Sequence, residues 1–147
     1  MVKIFVAQTH DKDRKLVCSF LENSGYKVEP NTTDPESLVW LARKISLISK
    51  PFVIVTSQTD ESGCGYVSNM LHTVALSRPV STLTIVYTRA AANQGNLPGV
   101  VHFIANLVRT PLHELRIIPK FAEDTREQEH EKLLSSITDF SASLNNS

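Results

Sequence analysis

Val2-Lys3-Ile4-Phe5-Val6-Ala7 is a short apolar run, rich in β-branched and aromatic side chains, that stops at the polar Gln8-Thr9-His10. Such a run, cut off by a loop, predicts a buried strand of a mostly parallel sheet. Outward from it the pattern changes period. Asp11 or Asp13 is placed to cap a helix, and Leu16, Val17, Phe20 and Leu21 recur at helical spacing before Gly25 stops it. A helix is therefore expected over about residues 13 to 24. Residues 26 to 29 give a second strand and residues 30 to 34 a polar loop. Asp34-Pro35-Glu36 then combines a capping acceptor, a proline at the first helical position and an acid in the positive first turn. Leu38, Leu41, Ala42, Ile45 and Ile48 carry this helix to Ser49, and Pro51 ends it.

Phe52-Val53-Ile54-Val55 reads as a strand buried on both faces. A turn at residues 60 to 65 leads into another amphipathic helix, with Val67, Met70, Leu71 and Val74 inward, which runs up to Pro79. Leu83-Thr84-Ile85-Val86-Tyr87 is the next strand, followed by a small-residue loop over residues 90 to 98. The last strand has two candidates: residues 99 to 108, as a short helix followed by an edge strand, or Leu115-Arg116-Ile117-Ile118. Residues 124 to 144 form a final helix, with Leu133, Leu134, Ile137 and Phe140 inward and Glu127, Glu129, Glu131 and Lys132 mostly outward. Strands alternating with helices at this spacing imply right-handed crossovers. The fold expected is α/β, a flavodoxin-like, doubly wound, mostly parallel five-stranded sheet flanked by helices, in one domain over residues 1–147. Function in such sheets sits in the loops at the carboxyl ends of the strands, here residues 8 to 12, 30 to 36, 56 to 65 and 88 to 98.

The 147 residues carry 15 acidic and 15 basic side chains, interspersed, which argues against nucleic acid or an anionic membrane as the main partner. No apolar run approaches the roughly 18 residues of a membrane span, and no charged leader precedes the first strand, so neither insertion nor export is expected. Cys18 and Cys64 are the only cysteines. Such sparse usage fits two free thiols in a reducing cytoplasm, where the glycan-acceptor patterns at Asn31 and Asn145 have no enzyme to read them.

The strand-end loops carry little standard chemistry. Gln8-Thr9-His10-Asp11-Lys12 has no glycine with which to cradle a phosphate, so no cofactor is expected. The only glycine-flanked nucleophile is Cys64 in Ser62-Gly63-Cys64-Gly65, for which a free thiol on a turn is the simpler reading. The histidines at 10, 72, 102, 113 and 130 show no metal-ligand spacing, and His72 is read as a half-buried structural side chain. Trp40 is read first as a large residue against the sheet and only second as an interface residue. Asp34, Asp60 and Glu61 have routine roles as turn formers or caps.

Two families share this order of elements. Ser24-Gly25-Tyr26-Lys27-Val28 resembles the second strand of a phosphorelay receiver domain, whose threonine and lysine would correspond to Thr88 and Lys120. The acidic pair and acceptor aspartate of that family are replaced here by Ala7-Gln8-Thr9 and Val55-Thr56, which leaves a pseudo-receiver at best. The fuller resemblance is to the Toll/interleukin-receptor (TIR) domain, in particular the branch of the myeloid-differentiation adaptor of Toll signalling. Lys3-Ile4-Phe5-Val6-Ala7 with His10-Asp11-Lys12-Asp13 resembles the first TIR box, and Asp34-Pro35 before Val39-Trp40 resembles the BB loop and the helix after it. Phe52 to Ser57, Ser62-Gly63-Cys64 and Val74 to Pro79 are similar to the third strand, Ser-x-Cys turn and third helix, and Leu97 to Ile104 to the Pro-x-x-apolar-x-Phe-Ile segment. The ordered set covers roughly residues 2 to 110, although each motif alone is weakly specific. The loop is short, Glu36 replaces the glycine after the proline, the aromatic pair of the third box is missing, and residues 111 to 123 have no counterpart. SEFIR domains, a sister group, tolerate such shortening.

The resemblance implies a non-enzymatic adaptor-type module of innate-immune signalling, working through homotypic contacts with TIR or SEFIR domains, as a homo-oligomer or filament. In NAD-cleaving TIR domains a catalytic glutamate follows the turn cysteine by three residues, and here that position is Val67. No NAD cleavage is therefore expected. The interface implied comprises Thr33, Asp34, Pro35 and Glu36 on one side, and Asp60, Glu61, Ser62, Cys64 and Tyr66 with the adjoining helix on the other. A helix cap is the routine alternative for Asp34-Pro35. An enzyme or small-molecule sensor using the same strand-end crevice is the competing functional class.

Overall fold

The structure is a computed structural model that describes residues 2–8, 10–31, 35–56, 79–88, 112–120 and 125–145. Its strands are β1 (Lys3–Ala7), β2 (Lys27–Asn31), β3 (Phe52–Thr56), β4 (Thr82–Thr88) and β5 (His113–Pro119). The helices described are α1 (Asp11–Asn23), α2 (Pro35–Ser46) and α3 (Arg126–Asn145). The strands form one sheet in the order β2-β1-β3-β4-β5, with every pairing parallel, as a flavodoxin-like fold requires. The chain moves outward from β1 to β2, then crosses to the far side of β1 to lay down β3. The order reverses between β1 and β3, the place where open α/β sheets leave a crevice at the carboxyl ends of their strands.

Alternation along each strand divides the apolar side chains between two layers. Ile4, Val6, Val53, Val55, Leu83 and Ile85 join Val17 and Leu21 of α1 and Leu133, Ile137 and Phe140 of α3 in the larger core. Phe5, Ala7, Phe52 and Ile54 face the other way and pack with Leu41 and Ile45 of α2. Across β1 and β3 the rings of Phe5 and Phe52 meet edge to face, with centroids 6.0 Å apart and planes at 84°. The helical phase expected for α1, α2 and α3 is thus largely the observed one, except that Leu16, placed in the inward stripe of α1, is exposed because Val17 and Leu21 already occupy the side facing the sheet.

Gly25 ends α1 as its position in the sequence suggests. Its φ of 97° lies in the left-handed region, and its amide donates to the Glu22 carbonyl at 3.0 Å while Tyr26 donates to Leu21 at 3.1 Å. This is the paired bonding of a Schellman stop.

Several expectations are corrected. His10 is the residue at the N-cap of α1, without a side-chain cap bond; Asp11 pairs with Arg14, and Asp13 turns into the protein. β2 continues through Pro30 to Asn31 rather than ending at Glu29. It lies at the sheet edge, where only one side of the strand must supply ladder bonds and proline is tolerated. α2 stops at Ser46, and Leu47 begins a turn. The edge strand opposite β2 is built on residues 113–119, so the second of its two candidates is the one used. Glu129, expected mostly outward, is buried. The helix expected over residues 67 to 79 lies outside the described residues, apart from Pro79 itself.

Among the described residues no helix is long and apolar enough to cross a membrane. Cys18 is a buried free thiol whose pKa is pushed up to about 11 by burial and then by Glu22 nearby, so it holds little of the reactive thiolate at neutral pH.

Candidate functional site

The carboxyl ends of β1, β4 and β5 converge on a buried polar cluster. β1 runs out into Gln8, which is fully buried, and β5 runs out into Lys120, which is only 4% exposed. The Lys120 ammonium donates to Gln8 Oε1 at 2.8 Å and to Asp13 Oδ2 at 3.1 Å, and it lies 4.5 Å from the centre of the Tyr87 ring. Arg126, in the first turn of α3, approaches Asp13 Oδ1 at 3.5 Å from the other side. The same guanidinium donates to Glu129 Oε1 at 3.0 Å and to the Tyr87 hydroxyl oxygen at 3.1 Å. Glu129 in turn accepts from the Tyr87 hydroxyl at 2.5 Å and from the Thr125 hydroxyl at 2.6 Å. Two carboxylates and two cations therefore neutralise one another below the surface.

Burial raises the Tyr87 hydroxyl above its ordinary pKa, and its bond to the Glu129 carboxylate adds to this. For Arg126, burial opposes the charge, but the Tyr87 bond and the carboxylates of Asp13 and Glu129 outweigh it and raise the pKa further. His130, one residue beyond Glu129, packs 5.2 Å from the Phe20 ring and 6.2 Å from the Tyr87 ring. Burial lowers its pKa, and the charge of Arg126 adds to the effect, with Lys120 in the same sense and Glu129 and Asp13 opposing. The folded chain thus resists a proton that the unfolded chain accepts below about pH 6.5. The stability given by neutral His130 is full above that pH and is lost as the pH falls toward the lowered folded value. The unfolding free energy from urea titrations between pH 7.5 and 5.5 should fall, by no more than about 1.4 kcal/mol per pH unit for this one proton, and the slope should flatten in His130→Phe. An unchanged slope in the variant would assign the acid sensitivity to another group.

Chemically, the cluster orders the carboxyl pole. It ties the beginnings of α1 and α3 to the ends of three strands, and its charges are spent on one another rather than shown to solvent. Lys120 follows β5 directly and is engaged with Gln8 and Asp13. Among the described residues no three His, Cys, Asp or Glu side chains come together in a way that would hold a metal ion.

A second feature lies on α2. Trp40 is 56% exposed and Val39 50% exposed, while Leu47, just past the helix, is 82% exposed. The expectation that Trp40 packs against the sheet is therefore overturned: Leu41 and Ile45 occupy the inward stripe, and a residue one step from Leu41 is rotated by about 100° away from it. Trp40 instead lies beneath the Lys44 ammonium, 4.3 Å from the ring centre. Lys44 also pairs with Glu29 of β2, whose other carboxylate oxygen lies 3.1 Å from the Lys3 ammonium.

Of the interface residues expected from sequence, Pro35 opens α2 and Glu36 is exposed in its first turn. Thr33 and Asp34 lie outside the described residues, as do Asp60, Glu61, Ser62, Cys64, Tyr66 and Val67. Sequence reasoning missed Gln8, Arg126 and Glu129 as members of the buried cluster. A signal for the last two was present, since Arg126 and Glu129 continue the inward stripe of Leu133 and Ile137 by steps of three or four residues. Compared with known proteins, the chain matches no protein-family model and no curated protein.

Proposed function

We propose that the chain is a non-enzymatic interaction domain of TIR type, acting in signalling by assembly with TIR or SEFIR domains through the beginning and the exposed face of α2. The observation that carries this reading is Trp40, a large aromatic side chain left 56% exposed on a helix whose opposite face is packed. With Val39 beside it and Glu36 one turn earlier, it adjoins the loop that resembles the BB loop. Tryptophan is the residue type most enriched at binding hot spots, because it covers much apolar area with few rotatable bonds. A rigid helix presents it at little ordering cost. The cytoplasm is the compartment this reading requires.

Trp40→Glu should weaken association, with itself and with partner TIR domains, by about 2 kcal/mol or more. Stability should change by only about 0.5–1 kcal/mol, from loss of the stacked Lys44. Sedimentation and thermal unfolding of the same samples separate the two effects. Wild-type association by the folded variant would reject the α2 face as an interface.

NAD cleavage is not part of this reading, since Val67 stands at the position matching the glutamate and cannot stabilise positive charge developing at the ribose. Incubation with NAD should give no turnover, and product that scales with protein concentration would overturn the assignment.

A further inference from the structure

β5 closes the sheet on the side away from β2, and among the described residues no strand pairs with its outer side. Which of its backbone groups face outward follows from the register. The Thr82 amide donates to the Leu112 carbonyl at 2.8 Å, and Thr82 is the partner of His113 in the parallel ladder. In such a ladder every second residue of a strand is bonded to its neighbour, here Glu114, Arg116 and Ile118 of β5 to β4. Leu115 and Ile117 therefore turn their amides and carbonyls away from β4. Pro119 falls in the same outward set, where its missing amide takes no bond from the sheet.

The side chains along this edge are mixed. Ile117 is 38% exposed, and Leu112, just before the strand, is 42% exposed. Glu114 and Arg116 stand on one face, each about half exposed, with 3.2 Å between Arg116 Nε and Glu114 Oε2. An acid and a base two residues apart complement themselves when the strand is turned round. In an antiparallel pair of two β5 strands centred on Leu115, Glu114 of each copy lies opposite Arg116 of the other. The two Leu115 residues can exchange both backbone bonds at the axis, because their amides and carbonyls face outward. The two charge pairs then occupy the closer, non-bonded positions. Ile117 is covered at the same time, beside Leu115 of the other copy.

Neighbouring registers are worse. Centring on Glu114 or on Arg116 sets like charges against each other. Centring on Ile117 puts Pro119, which has no amide, opposite Leu115, and centring on His113 puts Glu114 opposite Leu112 and forfeits both charge pairs. The helices leave room for the pairing. α3 lies over both β4 and β5, so a strand spacing of about 4.8 Å across the new edge sets its two copies about 10 Å apart, a distance at which helices pack.

We propose that the outer edge of β5 is a self-association surface, taken by β5 of a second copy in antiparallel register about Leu115. The same patch is used by both copies, so the contact closes as a two-fold dimer and joins two five-stranded sheets into one. It lies at the opposite edge of the sheet from β2 and does not rest on the reading of α2 above.

The test is sedimentation of the full chain as wild type and as charge variants. The wild type should be a dimer at high concentration. Glu114→Arg alone, or Arg116→Glu alone, turns both charge pairs into like-charge pairs and should weaken the dimer by about tenfold or more. Mixing these two variants should restore it as a heterodimer, since each supplies the charge that the other lacks, and recovery also shows that both are folded. Exchanging both residues in one chain should restore the homodimer. Amide hydrogen exchange reads the register: Leu115 and Ile117, fast in the dilute monomer, should gain protection as concentration rises. Dimerisation of either single variant like the wild type, or failure of the mixture to recover, would overturn the contact, as would a wild type that stays monomeric at millimolar concentration. Trp40→Glu separates this contact from that of α2. It should leave the β5 dimer intact, and a dimer lost in that variant but kept in both charge variants belongs to α2 instead.

Discussion

Asp13→Ala is expected to lose about 3–5 kcal/mol of stability in urea unfolding, the range found when one partner of a buried ion pair is deleted. Asp13 receives Lys120 on one oxygen and Arg126 on the other, and all three side chains are at least about nine-tenths buried. Removing the carboxylate leaves two cations facing each other without water to screen them. The loss should exceed that of Lys120→Met, which leaves Asp13 with Arg126 and replaces the ammonium stem by an apolar one of similar length. The ordering of these two variants is the informative measurement. Equal, small losses of about 1 kcal/mol or less would mean that the cluster is hydrated and behaves like surface ion pairs.

A comparable loss, about 3–5 kcal/mol, is expected for Phe5→Ala on the other side of the sheet. Phe5 is 1% exposed, sits on β1 between two neighbouring strands, and meets Phe52 edge to face. The parallel ladder holds the strand backbones at fixed spacing, so neighbours cannot collapse into the vacated volume and the cavity remains. Phe5→Leu should recover most of the loss. The two large effects lie on opposite faces of the sheet, so the double variant Phe5→Ala with Asp13→Ala should be additive within about 0.5 kcal/mol. If the double variant no longer folds, additivity is read from Phe5→Leu combined with Lys120→Met.

Much of the fold was legible because its elements announce themselves by period. Ile4 to Ala7 and Phe52 to Val55 are continuous apolar runs, which a strand covered on both faces demands, and both proved buried. Leu133, Ile137 and Phe140 repeat at helical spacing and are the residues of α3 that reach the core. The last strand could not be chosen from pattern, because residues 113–119 mix charged and apolar side chains as an edge strand does. The candidate sites were less legible. Trp40 and Lys44 on α2, with Leu47 just past its end, continue a second stripe at steps of four and three, yet the pattern alone does not say which of two stripes meets the sheet. The buried cluster was harder still. Asp13 carried the ordinary signature of a helix start, and only packing across 107 residues of sequence brings it to Lys120. Local rules assign each of those charges to solvent, and the assignment fails because each finds an opposite charge that no local rule can see.

The separation along the chain also fixes an order in time. Gln8 and Lys120 are 112 residues apart, and Tyr87 and Glu129 are 42 apart, so the cluster needs contributions from β1 and from the beginning of α3 together. While the chain is being made, β1, α1 and β2 emerge long before Lys120 and Arg126 exist, and Asp13 remains in water through that interval. The carboxyl pole can close only as the final helix is added. Folding of this domain is therefore completed by its last element, with the slow kinetics that distant pairing in a parallel sheet imposes.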